Sequence, residues 1–296
     1  MLIEGVAHII LSQVYDRKFD SSLIESNKYG ISSGLKSNAT GMVWGRPFHT
    51  DDMGGRKQSK SKKGKPKLLV IGDSVTEGVG VDDSATFANI FNNSIGFDEW
   101  DIRNISLIGW SCSDYRNVVD QVVGGDSTIK SICLFYCLND IYGKTPVKDL
   151  PPIADKGFMS KVNTFLQAKY ATYKLIKLLV YLGSDHYYQY DQAFYRDTNK
   201  VKVVISDLLH IKSVCDSNKV AFTVFILPYR TQLYHRDNNL PQRILAAEFS
   251  KNDIRYLDLL AGWPYKRSYE DLYLFADEIH LSAAGHRVIP DAIYQK

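Results

Sequence analysis

"KLLVIGDSVTEG", residues 67–78, decides how the rest of the chain is read. The apolar run Leu68–Ile71 stops at Gly72, and Asp73 and Ser74 follow at once. A short run that is apolar throughout, without alternation, suits a strand buried on both faces. A small polar pair after it suits the cap of a following helix. Ser74 therefore has two local readings, a helix cap or a nucleophile. The choice rests on whether a base and oxyanion donors stand where a fold would gather them.

Further strand candidates lie at 101–106 (DIRNIS), 131–137 (SICLFYC), 220–227 (VAFTVFIL) and 255–259 (RYLDL). Between and after them lie helical patterns at 84–93, 113–123, 160–182, 198–217, 240–250 and 283–295. Strand–helix alternation predicts parallel βαβ units with helices on both faces of one sheet. The stretch 141–200 is too long for a simple crossover and reads as a helical insertion. Within it, Phe165, Leu166, Tyr170, Tyr173, Ile176, Leu179 and Val180 recur at helical spacing, interrupted by Lys169, Lys174 and Lys177. That helix either packs on the body, walls the site as a lid, or meets a membrane surface. The aromatic run "HYYQYDQAFY" (186–195) lines a sugar or acyl pocket or fills a seam.

Residues 1–66 differ in character. Turn signals at "NKYG", "SNATG" and "DDMGG" predict a short helix, loops and a small hairpin near "GMVWGRPFH". The chain thus divides into an N-terminal extension, 1–66, and a main domain, 67–296, that carries the insertion. The net charge of +3 is nearly balanced, and without the seven cations of "RKQSKSKKGKPK" (56–67) the remainder would carry −4. A nucleic-acid surface needs cations spread over one face, so no nucleic-acid partner is expected, and the basic run reads as a solvated, mobile loop. Cys112, Cys133, Cys137 and Cys215 have no CxxC or Cys/His ligand spacing, and no disulfide framework is expected. With 45% apolar residues and no run of 18, the chain lacks an intact membrane span, and its apolar start carries Glu4 and no basic leader. The start is either a docked amphipathic helix or the stub of an anchor, and only the second would imply membrane association. No compartment follows from this, the cell envelope and the cytoplasm both remaining open.

In an open parallel sheet, function gathers beyond the carboxyl ends of the strands. The first strand is followed by Ser74, the second by Gly109 in "NISLIGWS", the third by Asn139 in "CLND". Asp277 and His280 stand in "DEIHLSAAGH" before the last helix. A serine hydroxyl needs a base to take its proton, an imidazole suits that task, and a carboxylate orients the imidazole. Ser74, His280 and Asp277 supply these three parts. The Ser74 and Gly109 N–H groups and the Asn139 amide supply donors for an oxyanion. Glycine at 109 permits close backbone approach. Each fragment alone is usually structural: Gly-Asp-Ser a turn, Asp-x-x-His a packing pair, Asn-Asp a turn. Their joint occurrence, in order and each at a strand end or before the terminal helix, favours the catalytic reading. Glu77, Asp82 and Asp83 read as a solvated turn rather than metal ligands. His286 reads as a supporting or surface residue, and Tyr229 and Arg230 as either substrate contacts or packing.

These four blocks resemble those of the SGNH (GDSL) hydrolase superfamily over roughly residues 67–296. "IGDSVTEG" resembles the nucleophile block, with Ser74 as its serine. "NISLIGWS" resembles the glycine block (Gly109), "CLND" the Gly-x-Asn-Asp block (Asn139), and "DEIHLSAAGH" the Asp-x-x-His block (Asp277, His280). The resemblance implies a flavodoxin-like three-layer α/β/α sandwich with a mostly parallel five-stranded sheet. It also implies a serine esterase acting on small acyl esters, acetyl first, or on an acylated carbohydrate, with no metal or organic cofactor. An O-acyltransferase with the same triad and a non-catalytic binding module of the same fold are the alternatives. "VWGRPFHTDDMGGRKQ" (43–58) loosely resembles extensions of bacterial members linked to cell-surface polysaccharide modification. Cys137 departs from the pattern, standing where the third block has glycine, and bears on how Asn139 is aimed.

Overall fold

The computed structural model describes residues 2–14, 16–143, 162, 165, 166, 169–181, 186–264 and 268–294. Helix α1 (Leu2–Val14) is followed by two hairpins, β1 (Ile24–Tyr29) with β2 (Ser32–Leu35) and β3 (Thr40–Val43) with β4 (Arg46–His49). The main body then runs β5 (Lys67–Gly72), α2 (Ser74–Glu77), α3 (Phe87–Asn93), β6 (Asp101–Ser106), α4 (Cys112–Val122) and β7 (Ile129–Tyr136). After it come α5 (Ala171–Tyr181), α6 (His186–Phe194), α7 (Thr198–Ser217), β8 (Ala221–Ile226), α8 (Arg230–Tyr234) and α9 (Leu240–Lys251). Strand β9 (Tyr256–Asp258), α10 (Leu259–Gly262) and α11 (Ala283–Tyr294) close the described chain.

The five strand candidates form one sheet in the order β6-β5-β7-β8-β9, every neighbouring pair parallel. Leu68–Ile71 of β5 are buried, because helices cover both faces of the sheet. Helix α3 packs with α11, and α4 packs with α7, giving the two outer layers of an α/β/α sandwich. The chain leaves β5 toward β6 on one side and returns to β7 on the other. The carboxyl end of β5 is therefore the switch point, where a parallel sheet opens a crevice.

Strand and helix bounds agree with the sequence reading to within about two residues for most elements. Helix α3 begins later than expected, at Phe87, because the Thr86 hydroxyl caps it by accepting the Asn89 N–H. Of the expected helix over 160–182, α5 covers Ala171–Tyr181, and much of the remainder lies outside the described residues. Glu4 caps α5: its carboxylate accepts the Ala171 N–H, the Thr172 N–H (3.1 Å) and the Thr172 hydroxyl (2.6 Å). Helix α1 thus docks on α5 through Ala7, Leu11 and Ala171. Among the described residues no helix is long and apolar enough to cross a membrane. The four cysteines are free.

Residues 16–56 build onto the main core. Leu23, Tyr29, Leu35, Val43 and Phe48 are buried in the same apolar cluster as the sheet. The first hairpin, not singled out in the sequence beyond the turn at "NKYG", seats Tyr29 edge-on against Trp110, whose Nε1 donates to the Ser33 carbonyl (3.0 Å). The Arg56 N–H donates to the Asn104 carbonyl (2.8 Å), so the extension covers the outer edge of β6, which would otherwise offer open hydrogen-bonding groups.

Arg56 corrects the expectation of a solvated loop over 56–67. Lys57, Lys60, Lys63 and Lys65 are exposed, but the Arg56 side chain is 1% exposed. Its guanidinium donates to Asp83 Oδ1 (2.8 Å) and to the carbonyls of Glu77 (2.8 Å), Gly78 and Val81 (2.5 Å), and lies over the Phe48 ring. The charge is drawn inward because the turn after α2 offers backbone carbonyls that no helix satisfies. Arg56→Ala strands those acceptors, and urea unfolding should show a loss of about 3–5 kcal/mol; a loss under about 1 kcal/mol would mean that water replaces the guanidinium freely.

Candidate active site

At Gly72 the backbone passes so close to its neighbours that a Cβ would lie 2.1 Å from Thr76 Oγ1 and 2.8 Å from the Phe135 carbonyl oxygen. Glycine is the residue that allows this approach. Asp73 is extended and caps α2, its Oδ1 accepting the Val75 N–H (2.9 Å). Ser74 opens α2 at the switch point and is buried. The cap role belongs to Asp73, which leaves the Ser74 hydroxyl for other partners.

One such partner comes from the loop before α11. There Asp277 Oδ1 accepts the backbone N–H groups of Ile279 (2.8 Å) and His280 (2.9 Å), which fixes the carboxylate. Its other oxygen, Oδ2, lies 2.8 Å from His280 Nδ1. A carboxylate only accepts, so Nδ1 carries the ring proton and the Nε2 lone pair is free. His280 Nε2 lies 2.9 Å from Ser74 Oγ. Asp73 Oδ2 also faces Ser74 Oγ, at a longer 3.4 Å. Burial pushes the Asp277 carboxyl up, but the His280 ring and its hydrogen bonds, with Arg17, outweigh burial and hold it well below the usual carboxylate range.

The expected oxyanion donors stand on the flanking strand ends. Gly72 is in register with Ser106 of β6 and Phe135 of β7, and the Gly109 and Asn139 loops follow those residues. Gly109 has φ +81 with open space around its missing side chain, so conformation, not crowding, requires glycine there. Asn139 is half-buried in the turn Leu138–Tyr142. Asp140 anchors that turn: it accepts the Cys137 N–H (3.0 Å) and the Tyr115 hydroxyl (2.9 Å). Cys137 has φ −93 and ψ 147, an extended conformation open to any residue. The cysteine in the place of glycine therefore puts no backbone strain on the Asn139 turn.

Glu77 is not the solvated turn residue expected from the sequence. It is fully buried, and its Oε2 accepts the Ile108 N–H (2.8 Å), which ties the loop carrying Gly109 to the end of α2. Asp82 is exposed and Asp83 half-buried on the Arg56 side chain. His286 is fully buried on α11, accepts the Phe87 N–H (3.3 Å), and is held neutral by burial, its ring pushed down to about 3. It packs and does not reach Ser74. Tyr229 and Arg230 are buried too: the Tyr229 hydroxyl donates to Asp191, and Arg230 pairs with Glu270 (2.8 Å). Among the described residues no group of three His, Cys, Asp or Glu side chains is arranged to hold a metal ion.

Three side chains at or near this edge escaped the sequence reading. Arg17 Nη2 lies 2.8 Å from Asp277 Oδ2, and the Trp44 ring stands 4.7 Å from the His280 ring. Asp191, on α6, accepts the hydroxyls of both Tyr142 and Tyr229, and burial pushes its carboxyl up to about 6. That junction joins the insertion to the turn just after Asn139. Arg17 lies in no stretch singled out in the sequence; Trp44 and Asp191 lie in 43–58 and 186–195, but nothing there marks them individually, and each acquires its neighbours only through the fold.

Burial also pushes the Glu77 carboxyl up, to about 8 from an ordinary 4.5. The folded chain then binds this proton more tightly than the unfolded chain. Stability should fall as pH rises from 4.5 to about 8. Glu77→Gln should flatten that slope in urea midpoints taken across this window, and an unchanged slope would assign it to other groups.

No family model matches the chain, and no curated protein matches it. Solved structures similar to it include a member of the lipolytic G-D-S-L family from Veillonella parvula, 14% identical, covering 77% of this chain and 96% of that one, with a TM-score of 0.45. An acetylxylan esterase from Geobacillus stearothermophilus, in a catalytic-mutant form, is 13% identical over 81% of this chain and 95% of that one, with a TM-score of 0.45. The psychrotrophic esterase EstA from Pseudoalteromonas sp. is 10% identical over 78% and 96%, with a TM-score of 0.46.

Proposed function

We infer that the chain is a serine esterase that hydrolyses small acyl esters, acetyl esters first among them. The observation that carries this reading is the unbroken line from Ser74 Oγ to His280 Nε2 (2.9 Å) and from His280 Nδ1 to Asp277 Oδ2 (2.8 Å). In this reading His280 takes the Ser74 proton as Oγ attacks the ester carbonyl. The negative charge that develops on the carbonyl oxygen meets the N–H groups of Ser74 and Gly109 and the Asn139 amide. His280, now cationic and steadied by Asp277, gives its proton to the leaving alcohol as the tetrahedral intermediate collapses to an acyl-Ser74. Water, deprotonated by His280, then attacks the acyl group. The acid leaves, and the proton returns to Ser74 Oγ.

Support for a small acyl group comes from burial. Ser74 is 4% exposed, and Trp44 stands against the ring of its base, so room near the hydroxyl is short. The resemblance of residues 43–58 to extensions of bacterial polysaccharide-modifying proteins makes acetylated carbohydrate the first natural substrate class to try.

Hydrolysis of p-nitrophenyl acetate, butyrate and octanoate by wild type, Ser74→Ala and Asp277→Asn tests the reading. Activity should fall with chain length. Ser74→Ala should lose roughly three orders of magnitude or more, and Asp277→Asn, with the ring in the wrong tautomer, roughly as much. Full activity in Ser74→Ala would discard the mechanism. Transfer of the acyl group to an added sugar in preference to water would make the protein a transferase with the same triad.

A further inference from the structure

Arg17, Trp44, His280 and Asp277 form a closed ring of contacts. The Arg17 guanidinium meets Asp277 Oδ2 at 2.8 Å, the same oxygen that lies 2.8 Å from His280 Nδ1. The guanidinium also lies over the Trp44 ring, 4.7 Å from its centroid. The Trp44 ring meets the His280 ring at 4.7 Å and 62°. Thus each of the two groups that serve Ser74 touches the N-terminal extension.

The extension is built to present these side chains together. Trp44 and Gly45 are the central residues of the β3–β4 turn and both have positive φ, +49 and +72. Two left-handed residues make the turn that fits the twist of a hairpin. Glycine takes that conformation freely; tryptophan does not, so Trp44 is held there against its own preference. The Trp44 N–H donates to the Lys18 carbonyl (2.8 Å), and Phe19 bridges to Val43, which locks the segment carrying Arg17 to the hairpin carrying Trp44.

We propose that Arg17 and Trp44 are positioning residues of the Ser74 site: Arg17 shares the Asp277 carboxylate with His280, and Trp44, packed against the His280 ring, keeps that ring turned toward Ser74. The proposal rests on the esterase reading for its catalytic meaning, though not for its geometry. Arg17 keeps a cation 2.8 Å from the oxygen that must steady the imidazolium. A cation on the same carboxylate oxygen competes with the ring for that oxygen's charge. Among the described residues, the charged groups that face His280 besides Arg17 are Asp277 on its own loop and Asp73 at the end of β5, with the Ser74 hydroxyl between them. Tyr273, in the same loop, feels both Arg230 and Asp277.

The test is an NMR titration of the His280 imidazole in substrate-free protein, assigned with His280→Gln, for wild type, Arg17→Lys, Arg17→Met and Arg17→Gln. Removing the charge in Arg17→Met or Arg17→Gln should move the His280 midpoint up by about one pH unit, and Arg17→Lys should leave it near wild type. The acid limb of kcat/KM should move with it. Trp44→Ala should lower kcat roughly tenfold with KM nearly unchanged, and Trp44→Phe should restore most of the loss. A His280 midpoint that stays put in both neutral variants, or moves as far in Arg17→Lys, overturns the proposal. Because the titration needs no substrate, it decides the matter even if no ester is turned over; silence toward every ester, with the midpoint shifted, would count against the esterase reading alone.

Discussion

Where β5 ends, the backbone of Gly72 lies against Thr76 and the Phe135 carbonyl with no room for a methyl group. That contact sets the tightness of the turn into α2, and the turn sets where Ser74 stands. A wider turn would carry α2 away from β7 and swing the hydroxyl off the sheet edge. The parallel register places Ser106 and Phe135 level with Gly72, so the loops bearing Gly109 and Asn139 start on either side of the serine. Buried polar groups then brace each loop: Glu77 on the Ile108 N–H, Asp140 on the Cys137 N–H. Both carboxyls are stripped of water, which raises their affinity for protons. Bracing by buried acids makes the loops stiff, at some expense in stability at neutral pH.

The N-terminal extension completes this body. Its hairpins bury apolar side chains in the main core, its backbone covers the edge of β6, and Arg56 ties down the turn after α2. The same segment reaches Asp277 through Arg17 and His280 through Trp44, so it supports the body and borders the candidate site.

Much of this was legible in the sequence, for a physical reason. Strands buried on both faces are nearly apolar throughout, and the runs at 68–72, 131–137 and 220–227 announce themselves without any knowledge of their neighbours, whereas 101–106 buries Asp101, Arg103, Asn104 and Ser106 and carries a weaker signal. The hydrogen-bonded trio Ser74, His280 and Asp277 was legible because Ser74 follows a strand and the other two precede the last helix, positions a parallel sheet brings toward one edge. Arg56, Glu77, Arg17 and Trp44 were not. A buried charge has the same letter as a solvated one, and Arg56 sits among lysines that do face water. Glu77 sits in a turn-like run, and its burial comes from the Gly109 loop folding over it. Arg17 and Trp44 draw their roles from partners on the far side of the chain, and no local spacing encodes them. Cys137 shows the opposite case: a departure from an expected glycine that the extended backbone absorbs.

The hydrogen bond between Ser74 and His280 spans 206 residues, and the one between Arg17 and Asp277 spans more. Such pairings are entropically slow to close, since the intervening loop must first be organised. On a ribosome Ser74 emerges about two hundred residues before His280. The hairpins at 24–49 have their own turns and pair locally, but the groups they hold for the site must wait for the last quarter of the chain. The Ser74 hydroxyl and the His280 ring therefore meet only once residue 280 has joined the fold, whatever order the rest of the body assembles in.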